Sequence, residues 1–414
     1  MAIRRYIIVS ALVTVMFVTL TGIFNYVIDP YGIYRDFRFE GINSEKPRAS
    51  TQIRMAKAYG IKLIKPKSIA LGNSRVDIGL DPLYCAWPED GQPVYNLGIP
   101  GSTIYASLRC LQHALSVQEI SCVVMGLDFM DFPISPDTIY ETKPEEFEQW
   151  LDINNSEWQT SFHYRRFFKA GITTLFSLTA LTDSVRTIID QHSENMTVNG
   201  FNPLEEYNAH VRKEGHYAIF LHRDMENIKK YKEKPNNLFL SGTHSSPHFD
   251  CLREIIRICK TNKIRLYLYI HPFHVRLNET IRISGLWPLF EQWKRELAKT
   301  VREESASDSP VPLWDFSGYN SVTAEPVPKA GDTETKMKWY WEAGHYKKET
   351  GNMILDRIFG HQKNDDEIYS DFGQIIDTEN IEQHMETINR NRMKFITDYP
   401  EVVSDISKLS EKFK

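Results

Sequence analysis

Five short apolar runs, Ser68 to Leu71, Pro93 to Leu97, Cys122 to Gly126, Ile264 to Ile270 and Val311 to Trp314, alternate with segments whose apolar residues recur at helical spacing. That alternation constrains the fold more than any other feature. Short runs with little polar alternation suit strands buried on both faces, and such strands belong to parallel sheets covered by helices. Between the second and third runs, Ile104, Leu108, Leu111 and Leu115 form a helical stripe behind Ser102 as a cap. Before the fourth, Ser246-Pro247 opens a helix striped by Phe249, Leu252, Ile255, Ile256 and Cys259, and Glu291 to Arg302 reads as a further helix. The expected fold class is α/β, a doubly wound, mostly parallel five-stranded sheet with right-handed crossovers.

Arg4 and Arg5 precede Ile7 to Phe24, a stretch without a single charge. It is about as long as the ~20 residues that cross a bilayer core. It exceeds a typical signal-peptide core, and no small-x-small site precedes Asn25, so a retained anchor is favoured over a cleaved signal. The arginines before the span, with none close behind it until Arg35, place the amino terminus in the cytoplasm. The expectation is a single-pass protein of a bacterial inner membrane whose remainder lies in the periplasm. The net charge of −5 offers no basic excess for nucleic acid. Five cysteines show no Cys-x-x-Cys spacing, which suggests neither a zinc site nor a dithiol motif, and their odd number fits an oxidising compartment poorly. Cys251 and Cys259 share one helix and cannot easily pair, and Cys85 and Cys110 read as packing.

The expected organisation is an anchor over residues 1–28, a connecting segment over 29–66, an α/β domain over 67–361 and a helical tail over 362–414. Residues 131–243 are too many for one crossover and are expected to form a helical insertion at the sheet's carboxyl edge, either a lid or packing. The insertion carries an acidic patch (Glu145, Glu146, Glu148), an amphipathic stretch from Phe167 to Ile189 and an Asn199-Gly200 turn. In the tail, Ile381, Met385, Ile388 and Ile396 recur at helical intervals, enough for one or two helices.

Within this frame the first strand breaks at Gly72 and delivers Ser74 to the sheet's carboxyl edge, where ligands of open α/β sheets bind. Gly-Asn-Ser is also an ordinary turn. What distinguishes Ser74 is Trp341-Glu342-Ala343-Gly344-His345-Tyr346 near the other end, because a serine nucleophile needs a base and the base needs an orienting acid.

Gly72-Asn73-Ser74, Asn96-Leu97-Gly98-Ile99-Pro100-Gly101, Gly126-Leu127-Asp128 and Glu342-x-x-His345 stand in the order of the four blocks of the SGNH/GDSL hydrolases, and over roughly residues 66–360 the chain resembles that superfamily. With its amino-terminal anchor it looks most like the membrane-anchored members that O-acetylate exported polysaccharides or esterify cell-wall polymers. The resemblance implies Ser74 as nucleophile, its N–H and that of Gly101 as oxyanion donors, His345 as general base and acid, and Glu342 where the family has aspartate. Asn96 belongs to the second block. Asp315 is the reserve acid. The third block normally supplies an asparagine that donates to the oxyanion. Here Asp128 stands instead, and an ionised carboxylate only accepts. Arg75 is the substitute donor, or else it pairs with Asp128 or Asp77 as structure.

His271 and His274 leave the fourth strand at its carboxyl end, and His274 could contact substrate or be a satisfied structural histidine. Their i, i+3 spacing is one that metal ligands use, but no third ligand is in place and Pro272 breaks any helix. Trp339, Tyr340 and Trp341 suit sugar faces but fit a core more often. No metal or organic cofactor is implied. The expected function is a serine-dependent carbohydrate ester hydrolase or O-acyltransferase acting on an exported or cell-wall polysaccharide. The alternative is a catalytically weak SGNH-like subunit that binds polysaccharide or partners a multi-pass membrane acyltransferase.

Overall fold

The computed structural model describes the chain except residues 1, 136–145, 154–168, 170, 192–195, 205, 234, 306–309, 362–369 and 414. Glu145, Phe167 and Gln362 therefore lie outside the described residues. In chain order the elements are α1 (Ala2–Ile28), α2 (Ile53–Ile64), β1 (Ser68–Gly72), α3 (Ser74–Gly79), β2 (Val94–Gly98), α4 (Ile104–Val117), β3 (Cys122–Leu127), α5 (Leu178–Ile189), α6 (Tyr207–Lys232) and α7 (Pro247–Thr261). They continue with β4 (Arg265–Ile270), α8 (Val275–Ile283), α9 (Trp287–Glu304), β5 (Leu313–Asp315), β6 (Tyr340–Glu342), β7 (His345–Tyr346), α10 (Lys348–Phe359), β8 (Gln374–Ile375), α11 (Ile381–Asp398) and α12 (Pro400–Glu411). Two compact units emerge: Met1–Lys65 with Gln112–Gln118 and Pro144–Leu204, and the remainder of the chain. The insertion is thus not one body, since residues 144–204 group with the amino-terminal helices and residues beyond them with the sheet.

The larger unit is mixed α/β around a six-stranded sheet in the order β2-β1-β3-β4-β5-β8. The first five strands are parallel, and β8 joins β5 antiparallel. The five-strand expectation is corrected by β8, whose Gln374 and Ile375 are both exposed and carry no apolar signal. Every residue of β1, β2 and β3 is buried, and because neighbours along a strand point to opposite faces, both faces of the sheet are covered there. From β1 the chain moves outward to β2, then crosses back to β3 on the other side of β1. Such a reversal of strand order is a topological switch point, and the crevice outside the carboxyl ends of the two strands at such a point is where open α/β sheets bind ligands.

The helical stripes pack as their spacing requires, with Phe249, Leu252, Ile255, Ile256 and Cys259 all buried on α7. Ser102 does not cap α4; its hydroxyl donates to the Gly72 carbonyl at 2.9 Å, and Thr103 stands at the helix start, its Oγ1 accepting from the Ala106 N–H at 3.3 Å. In the tail two helices form, and Phe395 is buried while Ile396 is partly exposed.

In the smaller unit α1 has a mean hydropathy of 2.4 over its best window, with 11% of that window buried, and is long and apolar enough to cross a membrane. The segment after it is more than a connector: it contains α2, whose Met55 and Tyr59 pack with Tyr31, Ile33 and Ala180 in one core cluster. His113 is buried there, with its Nδ1 accepting from the Asp152 N–H at 2.9 Å.

Candidate active site

Gly72 ends β1 at φ +146°, a conformation natural to glycine, and an added Cβ would press on the Val76 side chain and the Gly126 carbonyl. The chain then turns sharply into α3. Asn73 is the N-cap residue, its Oδ1 accepting from the Arg75 N–H at 3.1 Å, so Ser74 becomes the first helical residue. A first-turn N–H has no acceptor within its own helix.

The partner of Ser74 comes from a separate hairpin. Strands β6 and β7 pair antiparallel with Glu342 opposite His345 and only Ala343 and Gly344 between them. Directly opposed residues in an antiparallel pair project to the same face. The His345 Nδ1–H accordingly donates to Glu342 Oε1, and the other Glu342 oxygen accepts from the Gly344 N–H at 2.7 Å. With Nδ1 as donor, Nε2 is left as acceptor, and the Ser74 hydroxyl donates to it at 2.7 Å. Glu342 is buried, whereas the His345 side chain retains 27% of its exposure. Burial alone would raise the Glu342 carboxyl, but the charge and hydrogen bond of His345 and the Gly344 N–H outweigh it and bring the pKa to about 2. Ser74, His345 and Glu342 thus form a continuous Ser-His-acid chain.

Arg75 and Asp128 form a buried ion pair. Asp128 also accepts from Asn73 Nδ2 at 2.7 Å and from the Met130 N–H at 3.1 Å. Burial pushes the Asp128 carboxyl up, yet Arg75 first, then His271 and the hydrogen bonds, hold it below the usual carboxylate range. An ionised group engaged in this way has no proton to offer an oxyanion. Asp128 is thus engaged as an acceptor by Arg75, Asn73 and Met130. Arg75 Nε donates to the Gly344 carbonyl at 2.5 Å, and its guanidinium lies 5.0 Å from the centre of the Phe273 ring. The arginine therefore ties the nucleophile's helix both to the end of β3 and to the base's hairpin. Its Nη2, the Ser74 N–H and the Gly101 N–H have no hydrogen-bond partner among the described residues. Gly101 is exposed, at φ +70° in the turn after β2.

Other sequence candidates are structural. Asn96 is fully buried, donating to the Val76 and Leu80 carbonyls at 2.7 Å and accepting from the Gly98 N–H at 2.8 Å. His274 is buried as well, with Nε2 2.8 Å from the Glu325 carbonyl and Nδ1 accepting from the Arg276 N–H at 3.2 Å. Burial, the leading cause, lowers its pKa to about 3, and both ring nitrogens are engaged with neighbouring backbone. His271 is likewise buried and brought to about 3, chiefly by burial and then by Arg75; its Nδ1 lies 3.3 Å from the Tyr346 hydroxyl. Asp315, the reserve acid, pairs with Lys294 at 2.6 Å and His384 at 2.9 Å and takes no part in the chain through Ser74. Tyr340 and Trp341 are core residues, Tyr340 donating to the Pro272 carbonyl at 2.8 Å, and only Trp339 is partly exposed.

Sequence reasoning passed over Asn73, whose side chain serves the Arg75 N–H and Asp128 together. Its signal was present: an asparagine immediately before the first helical residue is a strong capping choice. Comparison with known proteins adds no further assignment: no family model matches this chain, and no curated protein matches it.

Proposed function

We propose that the chain is a serine-dependent ester hydrolase or O-acyltransferase of the SGNH type, built on a doubly wound sheet, anchored in a bacterial inner membrane by α1 and acting in the periplasm on an acyl group of an exported or cell-wall polysaccharide. The observation that carries the proposal is the hydrogen-bond chain from Ser74 through His345 to Glu342. The Ser74 oxygen attacks the acyl carbonyl while His345 Nε2 takes its proton. Glu342 holds the ring in the required tautomer and stabilises the imidazolium that forms. The oxyanion is met by the Ser74 and Gly101 N–H groups and by Arg75 Nη2 in place of the family's asparagine. His345 then returns the proton to the leaving alcohol, leaving an acyl ester on Ser74. Water or a sugar hydroxyl, deprotonated by His345, attacks that ester and regenerates the serine. The sheet order, with its switch point between β1 and β3, supports this reading, as does α1 for the anchor.

A second reading, a weakly catalytic subunit that binds polysaccharide or assists a multi-pass acyltransferase, is favoured by one observation: Asp128 accepts where the family donates. Fluorophosphonate labelling and hydrolysis of a small acetyl ester by the full chain, with Ser74→Ala and His345→Ala beside it, separate the two. Labelling and turnover that disappear in both variants support the enzyme. A folded wild type that neither labels nor turns over removes it in favour of the subunit.

A further inference from the structure

Helix α5 is inverted relative to a helix on a water-facing surface. It buries Ala180, Asp183, Ser184 and Thr187. On the opposite face Leu178, Val185 and Ile189, spaced seven and four residues apart, are 66%, 46% and 70% exposed. Water-facing helices do the reverse. Two of these buried polar groups are bonded inside the unit, Asp183 accepting from the Tyr31 hydroxyl at 2.8 Å and the Ser184 hydroxyl donating to Asn25 Oδ1 at 2.9 Å, whereas the Thr187 hydroxyl has no partner among the described residues.

Both ends of α5 are fastened near where α1 ends. At its start, Asn25 Nδ2 donates to the Leu175 and Ser177 carbonyls at 2.8 and 3.3 Å. Just past its end, Gln191 Nε2 donates to the Glu45 carbonyl at 3.0 Å, and the next residue, Lys46, donates to the Ile28 carbonyl at 2.8 Å. The helix, about 18 Å long, is thus fastened at its start to Asn25 in the last turns of α1 and at its end to the segment that follows α1. The same end of α1 carries an aromatic group in which Tyr26 packs on Phe37 at 5.7 Å, with Phe37 and Phe39 themselves 41% and 47% exposed. Aromatic side chains concentrate where a membrane-spanning helix leaves the hydrocarbon.

We propose that the apolar face of α5 seats in the lipid bilayer, so that the smaller unit lies in the head-group layer where α1 exits. The occupant of that face is phospholipid, because α5 is fastened to Asn25 in the last turns of α1, whose exposed apolar surface has the same requirement. The proposal rests on the reading of α1 as a membrane anchor, and the test separates the two.

The full chain, with Cys85→Ser and Cys251→Ser as background, is reconstituted in phosphatidylethanolamine–phosphatidylglycerol vesicles. Spin labels are attached singly at Leu178→Cys, Val185→Cys, Ile189→Cys and, within α1, Ile8→Cys. Collision rates with oxygen and with a polar nickel chelate, calibrated on spin-labelled lipids, give each label's depth. The expected result places the three α5 labels ~5–10 Å below the phosphates and Ile8 in the hydrocarbon. If Ile8 is in the hydrocarbon while the α5 labels meet the nickel chelate as freely as in buffer, the anchor stands and the proposal for α5 is overturned. If Ile8 is itself in water, or mass analysis shows the first residues removed, the anchor reading fails and the proposal falls with it. The labelled side chains are exposed and Cys251→Ser is nearly isosteric, so the variants keep the packing of the wild type.

Discussion

Two groups at the sheet's carboxyl edge contain the same ingredients and come to opposite ends. In one, Ser74, His345 and Glu342 are linked in a row. In the other, Ser317, Lys294, Asp315 and His384 are linked too, with Lys294 donating to Asp315 at 2.6 Å and to the Ser317 hydroxyl at 2.8 Å. Each has a histidine on a carboxylate and a serine nearby. They differ in where the carboxylate's charge is met. Glu342 has no lysine or arginine within salt-bridge distance among the described residues, so the imidazole is its main partner and the far ring nitrogen is free to act on serine. Asp315 is already neutralised by a buried lysine, and His384 directs its second nitrogen to Gln374 at 3.0 Å. Access differs in the same sense, since the His345 side chain is 27% exposed and that of His384 8%. Residue types alone do not make a site; an uncommitted ring nitrogen reachable from solvent does.

The comparison breaks most visibly at the triad. Ser74→Ala, His345→Ala and Glu342→Gln should each lower ester turnover by roughly 10³–10⁴-fold, the last because the amide holds the wrong tautomer. Initial-rate measurements on folded variants check this, and a Glu342→Gln enzyme with full activity would transfer the acid's role elsewhere.

Next in size is Asp315→Asn, which leaves Lys294 charged, buried and unpaired and should lower stability by about 3–5 kcal/mol in denaturant titrations. Its turnover per folded molecule should stay within a few-fold of the wild type. Equal losses of activity in Asp315→Asn and Glu342→Gln would erase the distinction between the two groups.

The third prediction concerns Arg75. Arg75→Met alone strands Asp128 and destabilises, whereas Arg75→Met with Asp128→Leu removes both charges and should recover stability to within about 1 kcal/mol. If Arg75 Nη2 meets the oxyanion, that double variant still turns over ~10²-fold more slowly. Full turnover in a stable double variant would make the pair purely structural.

A fourth prediction follows pH. His271 and His274 have folded-state pKa values of about 3 against an ordinary 6.5, so below pH 6.5 the unfolded chain takes up protons that the folded chain refuses. Their stability contribution is complete above pH 6.5 and is lost as pH falls toward 3, by about 1.4 kcal/mol per pH unit for each histidine. His274→Gln should reduce that slope by one proton in denaturation curves recorded between pH 6 and 4. The smallest effect is Ser317→Ala, expected to cost no more than about 1.5 kcal/mol and to leave turnover unchanged.

How much of this was legible in the sequence depended on how each residue is buried. The parallel strands could be found because strands covered on both faces read as short apolar runs. Exposed β8 could not be found that way. Ser74 and the Glu342–His345 spacing were legible because both rest on local turns, one a strand-to-helix break and the other a two-residue hairpin. The pairing of Arg75 with Asp128 was only one of two possibilities, since side-chain distance across β1 and β3 is not a local property. The partners of Asn96 and His274 were not legible for the same reason: a polar residue's partners are tertiary, and sequence does not tell a satisfied core amide from a reaching one. The Ser102 cap was displaced because the Gly72 carbonyl lay within its reach.

Ser74 and His345 are separated by 271 positions in the chain. Ser74 follows the first strand made, and His345 lies on a hairpin synthesised after β1 to β5. During growth from the amino terminus, the serine therefore exists for most of synthesis as an ordinary alcohol, with no imidazole to remove its proton. On the proposed reading, labelling by a fluorophosphonate awaits this long-range closure rather than any local folding event, so a chain that stops before Trp341 should not label.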